Sequence, residues 1–193
     1  MYTRGSKSLL QAIGYKPFKQ RFPWYGSFLQ TIKSTFFGKG MAGIRGKWSL
    51  HEYPVETGIL RMSLNVPEDT SPKGLVILCP GLGGMDETVT MHEYADAFVA
   101  EGFAALRLNY RGSGRSIDSC PAPFHGGLTE DLMKAAYHLP IEVADLPIIY
   151  FGYSLGGHLA LKTLIDGGLP NSVIAGVSIS APLCLAEAQD TME

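Results

Sequence analysis

The stretch Gly152-Tyr153-Ser154-Leu155-Gly156-Gly157 decides the fold of this chain. It directly follows the apolar run 146–151, which has the length of a buried strand, and it directly precedes residues 158–165, whose apolar positions have helical spacing. A serine at a sharp strand-to-helix turn takes a strained backbone conformation that lifts its hydroxyl above the sheet. The stretch therefore predicts a nucleophile elbow, with Ser154 as the candidate catalytic nucleophile.

Glycines two positions before and two positions after the serine make such a turn possible. Gly152 and Gly156 occupy those positions, where a side chain would clash. The Gly-x-Ser-x-Gly spacing alone arises by chance in roughly one chain in five of this size and glycine content, so it is a weak signal without context. The strand before it, the helix after it and a second glycine turn upstream supply that context.

The second glycine turn, Pro80-Gly81-Leu82-Gly83-Gly84, follows the apolar run 75–79, and we call it the oxyanion turn. In acyl transfer the carbonyl oxygen of the substrate becomes an oxyanion, and a backbone N–H fixed about 3 Å from it lowers the barrier by about 3 kcal/mol. The sequence predicts two such donors. One is the N–H of Leu155, directly after the nucleophile, and the other is the N–H of Leu82 or Gly83.

A dinucleotide-binding loop is the alternative interpretation of the same turn. Gly81 and Gly83 begin a Gly-x-Gly-x-x-Gly pattern, but Asp86 stands where the third glycine belongs, and its carboxylate would sit beside a pyrophosphate. The turn also lacks the Gly-Lys-Ser/Thr of a phosphate-binding loop. We therefore expect no nucleotide, and we expect no other cofactor.

The rest of the chain predicts an α/β fold. An antiparallel hairpin, residues 48–54 and 58–66, comes first, and strands then alternate with helices. The further predicted strands are 75–79, 103–109, 146–151 and 173–180, and the predicted helices begin near Asp86 or Thr88, at Thr129 and at His158. Such alternation is typical of a mostly parallel sheet with helices on both faces.

Length and composition favour one globular domain. The chain has 193 residues, of which 46% are hydrophobic and 18% charged. No apolar run approaches the roughly 20 residues of a membrane-spanning helix, and the N-terminus lacks the apolar segment of a secretion signal. The three cysteines, Cys79, Cys120 and Cys184, have neither metal-site spacing nor an even count. We expect a cytoplasmic protein without a metal site.

Charge divides the chain unevenly. Residues 1–50 hold nine lysines or arginines and no acid, which leaves seven bases against 18 acids in the remainder. We therefore predict a basic, aromatic N-terminal arm over residues 1–47. Such an arm can contact an anionic membrane surface, serve as a transit segment or pack against the acidic remainder. Nucleic acid is not expected as a partner, because the rest of the chain is acidic.

Five separate segments resemble the α/β-hydrolase superfamily, and within it the branch of YheT-like esterases with their eukaryotic abhydrolase-domain relatives. They are Phe28-Leu29-Gln30-Thr31-Ile32, Gly81-Leu82-Gly83-Gly84, Asn109-Tyr110-Arg111-Gly112-Ser113-Gly114, Gly152-Tyr153-Ser154-Leu155-Gly156-Gly157 and Ser178-Ile179-Ser180-Ala181-Pro182. The resemblance implies a partial α/β-hydrolase domain over residues 48–193. It also implies hydrolysis of short-chain or lipid esters by a serine hydrolase.

An acid and a histidine activate the serine in this fold, and they follow it in that order along the chain. No histidine follows His158, which lies one turn into the predicted helix and is better explained by packing. His125 precedes the serine, and Asp190 has only three residues behind it. The other histidines are interpreted as surface residues: His51, His92 and His138.

These positions lead to two hypotheses. In the first, the chain is the N-terminal part of a serine ester hydrolase and ends after the sixth strand, before its acid and histidine. In the second, it is a catalytically inactive α/β-hydrolase-like binding module that keeps the pocket but has lost turnover.

Overall fold

The structure of the protein is a computed structural model. It describes residues 43–192 together with Lys19, Phe22 and Tyr25, and the side chains of residues 189–192 lie outside that description. The chain divides into two compact units, Met1–Lys39 and Gly40–Glu193. Most of the predicted arm, residues 1–47, therefore lies outside the described residues, and its role stays a prediction. In the first unit the Phe22 and Tyr25 side chains are exposed.

Strands and helices alternate through the described part of the second unit. They are β1 (Lys47–Val55), β2 (Gly58–Val66), β3 (Leu75–Cys79), α1 (Val89–Ala100), β4 (Ala104–Leu108), α2 (Thr129–Tyr137), β5 (Ile148–Tyr153), α3 (Leu155–Asp166), β6 (Val173–Ile179) and α4 (Leu185–Met192). Two short 3-10 turns, Gly114–Ser116 and Ile141–Val143, lie in the loops.

The six strands form one sheet in the order β1-β2-β4-β3-β5-β6. β1 pairs antiparallel with β2, as the hairpin prediction requires, and β2 pairs antiparallel with β4. The remaining neighbours, from β4 through β3 and β5 to β6, are parallel. The loops that follow β3, β4 and β5 therefore meet at one edge of the sheet, which is where ligands bind in parallel α/β sheets.

Side chains alternate along β3 and build a core on each face of the sheet. Val76 and Leu78 point to one face, where they belong to a cluster with Met91 and Ala95 of α1. Leu75, Ile77 and Cys79 point to the other face, where the cluster includes residues of α2 and α3 such as Leu132 and Leu159. Helices on both faces of a mostly parallel sheet are confirmed.

Two predicted helix starts differ in detail from the structure. Thr88 stands at the N-cap of α1, but its hydroxyl donates to the carbonyl of Met85 and does not cap the helix. Asp86, the other cap candidate, is fully buried. Thr129 lies inside α2, and its hydroxyl donates to Asp166 Oδ2 at 2.6 Å. In both helices the predicted capping hydroxyl has found another partner.

A helix follows β6, although the sequence interpretation expected none there. α4 begins at Leu185 and runs to Met192. Its sequence, LAEAQDTM, is rich in alanine, leucine, glutamate and glutamine, which have strong intrinsic helix propensity. The prediction was wrong because it treated the residues after β6 as a chain end without regular structure.

β6 forms one edge of the sheet and carries exposed apolar side chains. Ile174 is 65% exposed, Val177 is 42% exposed and Ile179 is 38% exposed. This strand was predicted from its β-branched residues, and its bounds agree to one residue. Within the described residues no further strand pairs with it.

Candidate active site

Ser154 stands alone between β5, which ends at Tyr153, and α3, which begins at Leu155. Its backbone has φ 51° and ψ −128°, a conformation that side-chain-bearing residues avoid. Among the described non-glycine residues, only Ser154 and Ser180 have positive φ. The side chain of Ser154 is exposed. The strained, solvent-facing turn predicted from the sequence is therefore present in the structure.

Hydrogen bonds on both sides hold this strained backbone in place. The N–H of Ser154 donates to the carbonyl of Ile179, at the end of β6, at 2.9 Å. The carbonyl of Ser154 accepts the N–H groups of Gly157 at 3.0 Å and His158 at 3.2 Å, in the first turn of α3. Strain of this kind persists only where the surroundings over-determine it, and it concentrates at functional sites.

The elbow glycines allow close approaches that a side chain would prevent. A Cβ at Gly152 would lie 2.2 Å from the carbonyl oxygen of Gly156. A Cβ at Gly156 would lie 2.2 Å from the carbonyl oxygen of Cys79 and 2.3 Å from that of Pro80. Because of these contacts, the first turn of α3 packs directly on the end of β3, beside the oxyanion turn.

The oxyanion turn borders the nucleophile. A Cβ at Gly81 would lie 3.3 Å from the Cβ of Ser154. The N–H of Gly84 donates to the carbonyl of Gly81 at 2.9 Å, which closes the turn. Within the described part of the chain, the N–H groups of Leu82 and Gly83 donate no hydrogen bond to the backbone.

Leu155 completes the set of predicted donors. It is the first residue of α3, where a backbone N–H has no acceptor in its own helix. The structure thus brings Ser154, the oxyanion turn and the start of α3 together at the carboxyl edge of the sheet. Free donors beside an exposed serine are the arrangement that stabilises an oxyanion during attack on an ester carbonyl.

A cavity of about 350 Å³ adjoins the oxyanion turn on the side of β4. Its walls are Gly83 and Gly84 of the turn together with residues 110–113 and 121–124 of the loop after β4. The Tyr110 and Phe124 rings stack in this wall with their centroids 4.1 Å apart. The apolar side chains of Pro121, Pro123 and Phe124 make the cavity suitable for an alkyl group.

The two histidines weighed above as a base for Ser154, His158 and His125, are engaged elsewhere. His158 Nδ1 lies 2.9 Å from the carbonyl oxygen of Pro182, to which it donates because a carbonyl can only accept. This contact agrees with the packing interpretation of that residue. His125 is exposed, and its Nδ1 accepts the N–H of Gly127 at 3.1 Å. No described histidine is hydrogen-bonded to Ser154.

His92 differs from its sequence interpretation as a surface residue. Both ring nitrogens are buried and have no hydrogen-bond partner among the described residues. Burial lowers the pKa of His92, and the nearby Arg107 guanidinium lowers it further. The interpretation was wrong because the face of α1 that carries His92 packs over buried polar residues, among them Arg107 and Asp86. His51 is half-buried and contacts the hydroxyl of Ser49, and His138 is exposed.

Asp166 is paired with residues other than Ser154, and Asp190, weighed above as the triad acid, stays a prediction. Asp166 ends α3 and pairs with Lys162 at 2.8 Å, and these contacts with Lys162 and Thr129 lower the pKa of Asp166. Asp190 belongs to α4, and its side chain lies outside the described residues.

Sequence reasoning missed a buried polar cluster behind the oxyanion turn. Its members come from β2, from β4 and the residue directly after it, and from the segment after the turn. Each is at most 2% exposed: Ser63, Asn65, Asp86, Arg107 and Asn109. The available signal was the presence of polar residues inside two otherwise apolar strands. Buried polar side chains need partners, so such interruptions indicate a network.

Comparison with known proteins agrees with this geometry. Residues 70–192, well over half of the chain, match the family described as "Serine aminopeptidase, S33" (Hydrolase_4). The chain belongs to this family. It is 28% identical over 162 residues to Abhydrolase domain-containing protein 2 of Drosophila melanogaster, covering 80% of this chain and 40% of that protein. It is also 28% identical over 127 residues to Putative esterase YheT of Escherichia coli. This match covers 66% of this chain and 37% of that protein.

Solved structures show the same fold. The Pyrococcus furiosus esterase Pf2001 superposes with a TM-score of 0.62 at 20% identity, over 76% of this chain and 58% of that one. The α/β-hydrolase GrgF from Penicillium gives a TM-score of 0.58 at 21% identity. This match covers 70% of this chain and 46% of that one. The α/β-hydrolase fold is therefore confirmed, and the chain spans less than half the length of the curated relatives it matches.

Proposed function

We propose that this chain supplies the nucleophile and the oxyanion donors of a serine hydrolase that acts on carboxylic esters. The observation that carries the proposal is Ser154, an exposed serine held at φ 51° beside the N–H groups of Leu82 and Gly83, which have no backbone acceptor among the described residues. Its oxygen attacks the ester carbonyl, and the oxyanion receives hydrogen bonds from Leu155 and from Leu82 or Gly83. Loss of the alcohol leaves an acyl-enzyme on Ser154, which water then hydrolyses.

The proton of Ser154 needs a base, and no described histidine is hydrogen-bonded to this serine. The proposal assigns the triad acid and histidine to a segment that this chain does not contain. The length of the relatives supports this assignment, because the chain covers 40% and 37% of the two proteins named above. Without the base most of the rate enhancement is lost, while an oxyanion hole alone retains some.

Short-chain or lipid esters are the proposed substrates. A zebrafish relative, 25% identical over 118 residues and covering 60% of this chain and 28% of its own length, is named Monoacylglycerol lipase ABHD2. The cavity beside the oxyanion turn supports the same class, since Pro121, Pro123 and Phe124 in its lining offer an alkyl group an apolar surface.

We propose that the protein is cytoplasmic and that its basic arm makes peripheral contact with anionic lipid. In the described part of the chain no helix is long and apolar enough to cross a membrane. Lysines and arginines near an anionic leaflet contribute about 1 kcal/mol each, and salt screens this attraction. Binding of the chain to phosphatidylserine vesicles should therefore fall as salt rises. Equal partitioning onto neutral and anionic vesicles would contradict it.

The second candidate is a catalytically inactive α/β-hydrolase-like binding module. The observation in its favour is that His125 and His158 both hydrogen-bond to groups other than Ser154. Ester hydrolysis separates the two candidates. The 193-residue chain should be nearly inert toward p-nitrophenyl esters, and a chain extended by a downstream acid and histidine should gain activity that Ser154→Ala abolishes. An extended chain without activity would favour the module.

A further inference from the structure

The oxyanion turn lies within the segment 80–86. Both ends of this segment are held by side chains from β4 and from the residues directly after β4. At the first end, the Tyr110 hydroxyl donates to the carbonyl of Pro80 at 2.9 Å. At the far end, the N–H of Asp86 donates to Asn109 Oδ1 at 3.0 Å, and Arg107 Nη1 donates to the carbonyl of Asp86. All of these contacts reach the backbone of the segment.

The three holding side chains are themselves buried. Arg107 is 2% exposed, Asn109 is 1% exposed and Tyr110 is 3% exposed. Hydrogen bonds away from water are stronger electrostatically, and losing one partner leaves an unsatisfied buried group. Burial also raises the pKa of Tyr110, so its hydroxyl stays protonated and remains a donor.

Two of the holding side chains, Asn109 and Arg107, are also hydrogen-bonded to β2. Asn109 Nδ2 donates to the carbonyl of Arg61 at 3.2 Å. Arg107 Nη2 donates to Asn65 Oδ1 at 3.0 Å. These contacts join the turn to a strand two places away in the sheet.

The apex of the turn, by contrast, receives little support from packing. Leu82 is 77% exposed, and a Cβ at Gly83 would find no atom within 4 Å. The position of the two unpaired N–H groups therefore depends on how firmly the ends of the segment are fixed. Oxyanion donors act best when they are in place before the reaction begins, because no reorganisation is then needed.

We propose that Arg107, Asn109 and Tyr110 are positioning residues that fix the oxyanion turn so that its N–H groups face the nucleophile before an ester binds. This inference rests on the proposed function of Ser154 and the turn. Their hydrogen bonds reach the backbone at Pro80 and Asp86, and through it they act on the turn.

Two matched tyrosines allow a clean test. Tyr110→Phe removes the hydroxyl that donates to the carbonyl of Pro80 but keeps the ring that stacks on Phe124. Tyr150→Phe is the control, because Tyr150 is also buried and its hydroxyl also donates to a backbone carbonyl, that of Leu132, at 2.6 Å. Asn109→Ser provides a second variant at the other end of the segment, since it withdraws the acceptor from the N–H of Asp86.

Two measurements on the 193-residue chain give independent answers. The first is amide hydrogen exchange at Gly84 and Asp86, whose N–H groups are hydrogen-bonded at the turn and at its far end. The second is the rate at which a fluorophosphonate labels Ser154, separated into the maximal rate and the concentration for half-maximal rate.

We expect Tyr110→Phe and Asn109→Ser to speed exchange at these amides and to lower the maximal labelling rate by about tenfold to a hundredfold, with the half-maximal concentration unchanged. Tyr150→Phe should do neither. Unchanged exchange in both variants, or equal effects of Tyr110→Phe and Tyr150→Phe, would overturn the positioning role. Faster exchange in a chain whose Ser154 never reacts would retain the positioning role and reject the proposed function.

Discussion

At the scale of single residues, the strain at Ser154 has a measurable cost. A side-chain-bearing residue at φ 51° costs about 1–3 kcal/mol, and glycine avoids most of that cost. We therefore expect Ser154→Gly to be about 1 kcal/mol more stable than Ser154→Ala. At Ser113, where φ is −132°, the glycine variant should instead be the less stable one. Equal urea midpoints for the two variants at Ser154 would contradict the strained turn.

His92 is expected to make the stability of the fold depend on pH. Its pKa is lowered by burial and by Arg107, with Arg115 acting in the same direction and Asp86 and Glu87 in the opposite one. In the unfolded chain a histidine titrates near about 6.5, so below that pH the unfolded state binds more protons than the folded state. Stability should fall as the pH drops below about 6.5 and level off below the folded-state pKa.

The measurement is the free energy of unfolding in urea between pH 7 and pH 5. His92→Gln should flatten the slope over this range, because the variant has no titrating ring at that position. The same substitution at the exposed His138 serves as the control. A slope that is identical in the wild-type chain and in His92→Gln would refute the buried, partnerless environment of this ring.

At the scale of elements, the loop after β4 is joined to α2 by a buried ion pair. Arg111 donates to both carboxylate oxygens of Asp131, each at 2.7 Å, and their side chains are 8% and 2% exposed. Asp131→Asn leaves an uncompensated buried guanidinium and should destabilise the fold by about 3–5 kcal/mol. The neighbouring Glu130→Gln, which breaks an exposed pair with Lys134, should cost less than about 0.5 kcal/mol. Similar thermal shifts for both variants would contradict this account.

The elements differ in how well the sequence predicts them. β2 and β3 have the predicted bounds, because alternation and a short apolar run between polar turns are strong local signals. The elbow was equally local, since strand, serine and glycines stand in one stretch. The partner of Thr129 and the burial of the His92 ring nitrogens were not predictable, because only the tertiary fold brings Asp166 and the buried polar cluster close to them.

At the scale of the whole molecule, the exposed edge of β6 predicts self-association. Ile174 and Val177 are exposed on a strand whose outer backbone groups have no partner strand among the described residues. The unpaired backbone groups of such an edge can pair with a strand of another chain, and a lysine on the edge strand suppresses this pairing. The chain should therefore aggregate in dilute buffer, and Val177→Lys should raise its soluble fraction. A monodisperse, cooperatively unfolding monomer would show that this edge is not a liability.

The central claim is that Ser154 is the nucleophile, and peptide mapping after fluorophosphonate treatment tests it most directly. Ser180 is the matched control, since it is also an exposed serine with positive φ but lacks the flanking elbow glycines. We predict a slow adduct on Ser154 in the 193-residue chain, faster in a chain extended by the acid and histidine, absent from Ser154→Ala and retained in Ser180→Ala. An adduct that persists in Ser154→Ala, or that maps to another residue, would contradict the account.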